Sequence, residues 1–192
     1  KYGHNCSLMK MDGESKRKLS KRKDPELSLS YYRQEGYHPF AVKVYMLTLL
    51  NSDFEEWHAK FPEKPLEEFP FRISKMSKSG ALFDLDKLND ISKTELSRLD
   101  AEEMLAFLKA WAQEYGTQEQ RAYFADEAYL LNVLTLCMGI GGKKRRKDFV
   151  TAKQAMEEIG YFFAGYTQKD AYRVDDATRN AEIGRASCRE RV

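Results

Sequence analysis

The sequence is poor in the residues that build metal centres, crosslinks and nucleophilic sites. Its 192 residues include three cysteines, Cys6, Cys137 and Cys188. None has a partner at the short spacing of a zinc motif or of a disulfide framework. The three histidines, His4, His38 and His58, are equally scattered, so no Ser/His/Asp or Cys/His arrangement suggests covalent catalysis. His38, beside Pro39, reads as a helix-entry residue rather than a base. No apolar run approaches a membrane span, and no secretory signal precedes the first element. The formal charge is only +2, so the chain as a whole carries no polyanion-binding signal. These absences lead to the expectation of a reduced, cytoplasmic protein that holds no metal. Nothing demands more than a monomer, and the length suffices for one or two domains.

Charge is present locally, in two basic clusters at residues 16–23 and 143–147. The first two dozen residues are polar and lack apolar periodicity, which predicts a loop. Asp24, Pro25 and Glu26 then read as N-cap, first helical position and first turn of a helix ending at Gly36. Pro39 opens a second helix with Ala41, Val42, Tyr45, Met46, Leu49 and Leu50 on one face. A short helix carrying Trp57 follows over residues 54–61, and Pro62, Pro65 and Pro70 break the pattern. From Ser92 onward the chain reads as helical. Ser92 with Glu95, Asp100 with Glu103 and Thr151 with Gln154 match the capping-box spacing. One apolar stripe holds Met104, Leu105, Leu108, Trp111 and Ala112. Another holds Tyr129, Leu130, Val133, Leu134, Cys137 and Met138. Strand signals are weak throughout. Tyr31, Tyr32, Tyr45, Trp57 and Trp111 sit at helical spacing and read as core rather than as base-stacking platforms.

Two stretches share one Lys-rich pattern. "KLSKR", residues 18–22, follows the flexible "DGESKR" and precedes a helix. "KMSKS", residues 75–79, stands between a proline-rich loop and the apolar "GALFDLDKL". A short mobile loop of ammonium groups ahead of a helix suits the charge that develops on phosphate oxygens when pyrophosphate leaves. The upstream stretch has that context and the downstream one does not. The bland reading of the first is a solvated basic run, and of the second a surface turn.

The ordered set of motifs carries a resemblance. "MKMDGESKRKLSKRKDPELSLSYYRQEGYHPFAVKVYMLTLLNSDFEEW" resembles bacterial glutamyl-tRNA synthetases, class I aminoacyl-tRNA synthetases, just past their catalytic core. "SGALFDLDKLNDIS" resembles a later segment of the same family. The likeness extends over about residues 8–163. It implies that Lys18, Ser20, Lys21 and Arg22 form the ATP loop. Lys21 would meet the phosphates in the transition state, Lys18 and Arg22 would support the nucleotide or the loop, and Ser20 would be structural. The implied cofactors are ATP with its Mg²⁺, and the implied partners are L-glutamate and tRNA(Glu).

The implied fold is mainly α: the tail of a Rossmann-type catalytic domain over residues 1–24, a helical stem-contact domain over 25–92, and the first part of an α-helical anticodon-binding bundle over 93–182. Residues 183–192, "IGRASCRERV", resemble translated sequencing adapter and are set aside. In the glycine-opened "GGKKRRKD", Lys143, Lys144, Arg145 and Arg146 are candidates for tRNA phosphates, against the plainer reading of a solvated connection. The family's HIGH-type motif and glutamate-recognising residues have no counterpart here, so this stretch alone is expected to be inactive. The alternatives are a glutaminyl enzyme, whose family carries a β-barrel anticodon region, a truncated paralogue that glutamylates queuosine, and a non-catalytic helical RNA-binding module.

Overall fold

The computed structural model describes residues 7–76 and 80–163. Among them are eight α-helices and one two-stranded sheet. The mainly α expectation holds, but the chain opens on strands where a loop was expected. β1 (Met9–Asp12) and β2 (Ser15–Lys18) form an antiparallel hairpin with Met9 opposite Lys18 and Asp12 opposite Ser15. Its turn places Gly13 at φ 61, a conformation that an L side chain adopts only with strain. The two-residue loop is Gly13-Glu14, and glycine at its first position is the local signal for this turn, while the basic strand β2 lacks the alternation that marks a half-buried pair.

The single helix expected from Pro25 to Glu35 is two pieces. Pro25–Leu27 forms one 3-10 turn, Ser28 is extended, and α1 runs Leu29–Glu35. Asp24 makes no side-chain cap bond to this turn; its carboxylate is held by Arg17 and the Ser20 N–H. α2 (Pro39–Leu50) begins as expected, with Pro39 in the first turn and His38 as N-cap accepting from the Phe40 N–H at 3.3 Å. α3 (Phe54–Lys60) carries Trp57 among the rings of Phe54, Phe61 and Phe69.

α4 (Leu85–Leu96) starts at Asp84, whose carboxylate accepts from the backbone of Asp86 and Lys87. Ser92 therefore lies inside a helix and forms no capping box; it is buried and donates to the Val150 carbonyl at 2.5 Å. The Asp100–Glu103 box does form at the start of α5 (Ala101–Tyr115), with bonds of 2.7 and 2.9 Å. Such a cap contributes about 0.5–2 kcal/mol. Thr117 and Gln120 form an unforeseen second box ahead of α6 (Gln118–Ala122). α7 (Glu127–Met138) buries Leu130, Val133, Leu134 and Met138. α8 (Ala152–Ile159) is capped by Thr151, but Gln154 returns its bond to the Val150 N–H rather than to Thr151.

The apolar stripes close into separate clusters. Leu19, Tyr32, Tyr37, Tyr45, Phe83 and Leu88 form one beneath the hairpin. Leu96, Met104, Leu108, Leu130, Leu134, Met156 and Ile159 belong to a larger one among α5, α7 and α8. α4 contributes Leu88 to the first and Leu96 to the second, so one rigid helix ties the halves together. A second tie sits at Gly36, where α1 ends at φ 80. Its carbonyl accepts from the Ala152 N–H at 2.7 Å, and Trp111 Nε1 donates to the Gln34 carbonyl at 3.2 Å. Of the aromatic residues read as core, Tyr32, Tyr45 and Trp111 are buried and Tyr31 and Trp57 half-buried. Among the described residues no helix is long and apolar enough to cross a membrane.

Candidate functional site

The hairpin and the first 3-10 turn hold the "KLSKR" stretch between them. Lys18 closes β2, and Leu19 turns inward, 4% exposed, with its N–H donating to the Leu8 carbonyl at 3.0 Å. The Ser20 carbonyl accepts from the N–H groups of Lys23 and Asp24, which folds residues 20–24 into a compact turn. Ser20 N–H donates to Asp24 Oδ2 at 2.8 Å. The stretch expected to be flexible is thus anchored by a buried leucine and a carboxylate-closed turn. The bonds that Ser20 makes here are those of its backbone N–H and carbonyl.

Asp24 is the centre of this arrangement. It is 2% exposed and receives both terminal nitrogens of Arg17 at 2.7 Å. Arg17 Nε also donates to Asp12 Oδ2 at 2.8 Å. These charge-assisted, bidentate bonds are the strong kind. The Arg17 guanidinium, and after it the Ser20 N–H, hold the Asp24 carboxyl well below the usual carboxylate range, while Asp24 and then Asp12 raise Arg17 further above its own. Lys10 on β1 makes a parallel tie, Nζ to Oε1 of the buried Glu26 at 2.6 Å. In the sequence Arg17, Lys10 and Glu26 do not stand out as contributors, and Asp24 reads as a helix cap. The available signal was an acidic residue closing an otherwise basic run.

Lys18, Lys21, Arg22 and Lys23 are exposed. None forms an ion pair among the described residues. Four cations with no carboxylate partner suit a polyphosphate. The same side chains do not suit a metal ion, so no step through Mg²⁺ is assigned to them.

The strip that follows the downstream motif packs against the hairpin. The Met9 N–H donates to Ala81 O at 2.8 Å and the Phe83 N–H to Met9 O at 2.7 Å, laying "GALF" alongside β1. A Cβ at Gly80 would come within 2.5 Å of the Ser7 carbonyl, so only glycine permits this approach. Lys75 is in a 3-10 turn and pairs with Asp53 at 3.3 Å. Ser77, Lys78 and Ser79 lie outside the described residues.

The second basic stretch is elsewhere, with its contacts on α4 and α7. α7 ends at Gly139, in the left-handed region at φ 65, and the Arg146 N–H returns to the Met138 carbonyl at 2.9 Å. Arg146 pairs with Asp148, and Lys147 Nζ donates to Thr94 Oγ1 at 3.2 Å. Arg145 is half-buried. Lys143 and Lys144 remain exposed, with no ion pair among the described residues.

No family model matches the chain. Curated relatives do. The glutamate–tRNA ligase of Acetivibrio thermocellus is 50% identical over 165 residues, 86% of this chain and 30% of that protein. The glutamate–tRNA ligase of Clostridium perfringens strain 13 is 40% identical over 97% of this chain and 34% of its own length. That of Sorangium cellulosum is 34% identical over 84% of the chain and 30% of its own length. The chain spans about a third of the curated relatives it matches. By identity sustained across most of its residues, it belongs to the glutamate–tRNA ligase family.

Proposed function

We propose that the chain supplies the ATP loop, the stem-contact helices and the first anticodon-binding helices of a monomeric, cytoplasmic glutamate–tRNA ligase. The whole enzyme activates L-glutamate with ATP and transfers it to the 3′ end of tRNA(Glu). The observation that carries this reading is the turn at residues 18–22. It presents unpaired cations from a rigid base, inside a chain whose relatives are glutamate–tRNA ligases.

When glutamate attacks the α-phosphate, negative charge grows on the bridging and pyrophosphate oxygens. Lys21 meets that charge with its ammonium group, and Lys18 and Arg22 support the phosphates on either side. Leu19, pinned in the core, fixes where the turn stands. The helical course of the chain from α4 onward supports the glutamate reading over a glutaminyl enzyme with a β-barrel anticodon region.

The test is Lys21→Ala in the full-length enzyme. Glutamate-dependent ATP–pyrophosphate exchange should fall about 10²–10³-fold, the usual loss of one preorganised charge-stabilising donor. Affinity for tRNA should stay within about twofold, since Lys21 is a single contact among many. An unaltered exchange rate removes Lys21 from this role.

A further inference from the structure

Four carboxylates flank the basic turn: Asp12, Glu14, Asp24 and Glu26. Three of them are engaged by just two cations, Arg17 on Asp12 and Asp24 and Lys10 on Glu26. Neither Arg17 nor Lys10 belongs to the "KLSKR" pattern. Asp24 is the only acid between Ser15 and Pro25, four residues or fewer from Lys21, Arg22 and Lys23. An unpaired carboxylate there would take one of those cations as its own partner.

We infer that Arg17 is a charge-sequestering residue: by occupying Asp24 on both oxygens it keeps Lys18, Lys21 and Arg22 free for a polyphosphate. The inference rests on the ATP-loop reading and adds to it a residue that acts through another. Arg17 reaches Asp24 rather than solvent phosphate because β2 ends beside the turn that Asp24 closes. The bidentate geometry favours arginine over lysine at this position, since a planar fork meets both oxygens at once. Asp24 in turn holds Ser20, so it cannot simply be absent without loosening the turn.

A binding measurement separates sequestration from a purely structural clamp. Inorganic tripolyphosphate is titrated calorimetrically into the 192-residue chain and its variants near 0.15 M salt, where charges about 8 Å apart are already screened. Arg17→Gln is expected to weaken binding about tenfold, the scale of one charge-assisted contact. The double variant Arg17→Gln/Asp24→Asn should return to within about twofold of the unmodified chain. Lys16→Gln, which removes an exposed charge next door, should cost no more than about twofold.

Melting curves accompany each variant, and Arg17→Lys, which keeps a charge on Asp24, stands in if Arg17→Gln does not fold. Arg17→Lys should then bind more tightly than Arg17→Met, and equal binding by the two overturns the inference. A double variant as weak as Arg17→Gln means the clamp is structural and overturns the inference alone. An Arg17→Gln no weaker than Lys16→Gln does the same. Tripolyphosphate binding that Lys21→Ala leaves unchanged, or no binding at all, overturns the ATP-loop reading beneath it.

Discussion

Gly36 is where a single methyl group should do the most damage. The residue ends α1 at φ 80, and its carbonyl bonds to the first turn of α8. A β-carbon built there lies 2.7 Å from Ala152 Cβ, 2.9 Å from Ala152 N and 2.9 Å from Trp111 Nε1. Two costs add. Holding alanine in the left-handed region costs about 1–2 kcal/mol, and forcing a methyl into packed neighbours costs about 1–3 kcal/mol more. Gly36→Ala should therefore destabilise by about 2–5 kcal/mol, which for a chain of this size lowers Tm by about 4–20 °C.

The control is Gly13→Ala, at φ 61 with nothing within 4 Å of its β-carbon, which incurs only the backbone cost of about 1–2 kcal/mol. Urea denaturation followed by Trp111 emission in a Trp57→Phe background reports on this junction, because Trp111 bonds to Gln34 across it. Gly36→Ala that is no less stable than Gly13→Ala refutes the claim that the two halves meet there without room for a side chain.

Three other outcomes follow from the packing and the charges. Leu134→Ala, at a fully buried site in the α5–α7–α8 cluster, should cost about 2–5 kcal/mol by denaturant titration. Tyr37 and Tyr45 are buried phenols pushed up to about 12, chiefly by burial. Folding therefore favours their neutral forms, so their contribution is whole below pH 10 and is lost as the pH rises towards 12. Urea midpoints should fall over that window, and Tyr37→Phe should flatten the fall. Charge reversal at Lys143 and Lys144, the exposed pair of the second basic stretch, should weaken tRNA binding and reduce its salt slope by about two. Unchanged affinity at low salt would exclude them from the interface.

Much of the helical half was legible because its signals are local. Asp100 with Glu103, the stripe from Leu130 to Met138 and Pro39 behind His38 each specify a helix within a few residues, and each formed. Ser92 misled because a capping-box spacing is cheap, whereas the true start at Asp84 depends on a bond network that the spacing alone does not reveal. The hairpin is hidden in the sequence because β2 is a basic run and only Met9, Lys10 and Arg17 of the two strands are half-buried, so no apolar alternation marks them. The candidate site shows its cations in the sequence and not the pairing of its carboxylates. That Asp24 belongs to Arg17, rather than to the helix it precedes, is a tertiary fact set by the hairpin register. The "GALF" strip that follows "KMSKS" reads only as apolar sequence, and its place along β1 is set by backbone bonds to Met9 that no local pattern announces.

The central claim is tested most directly by aminoacylation with the full-length protein. Purified enzyme, ATP, Mg²⁺ and tRNA(Glu) are incubated with radiolabelled glutamate or glutamine, and acid-precipitable label is counted. The account predicts label from glutamate and none from glutamine. No charging with glutamate, or charging with glutamine in its place, contradicts it.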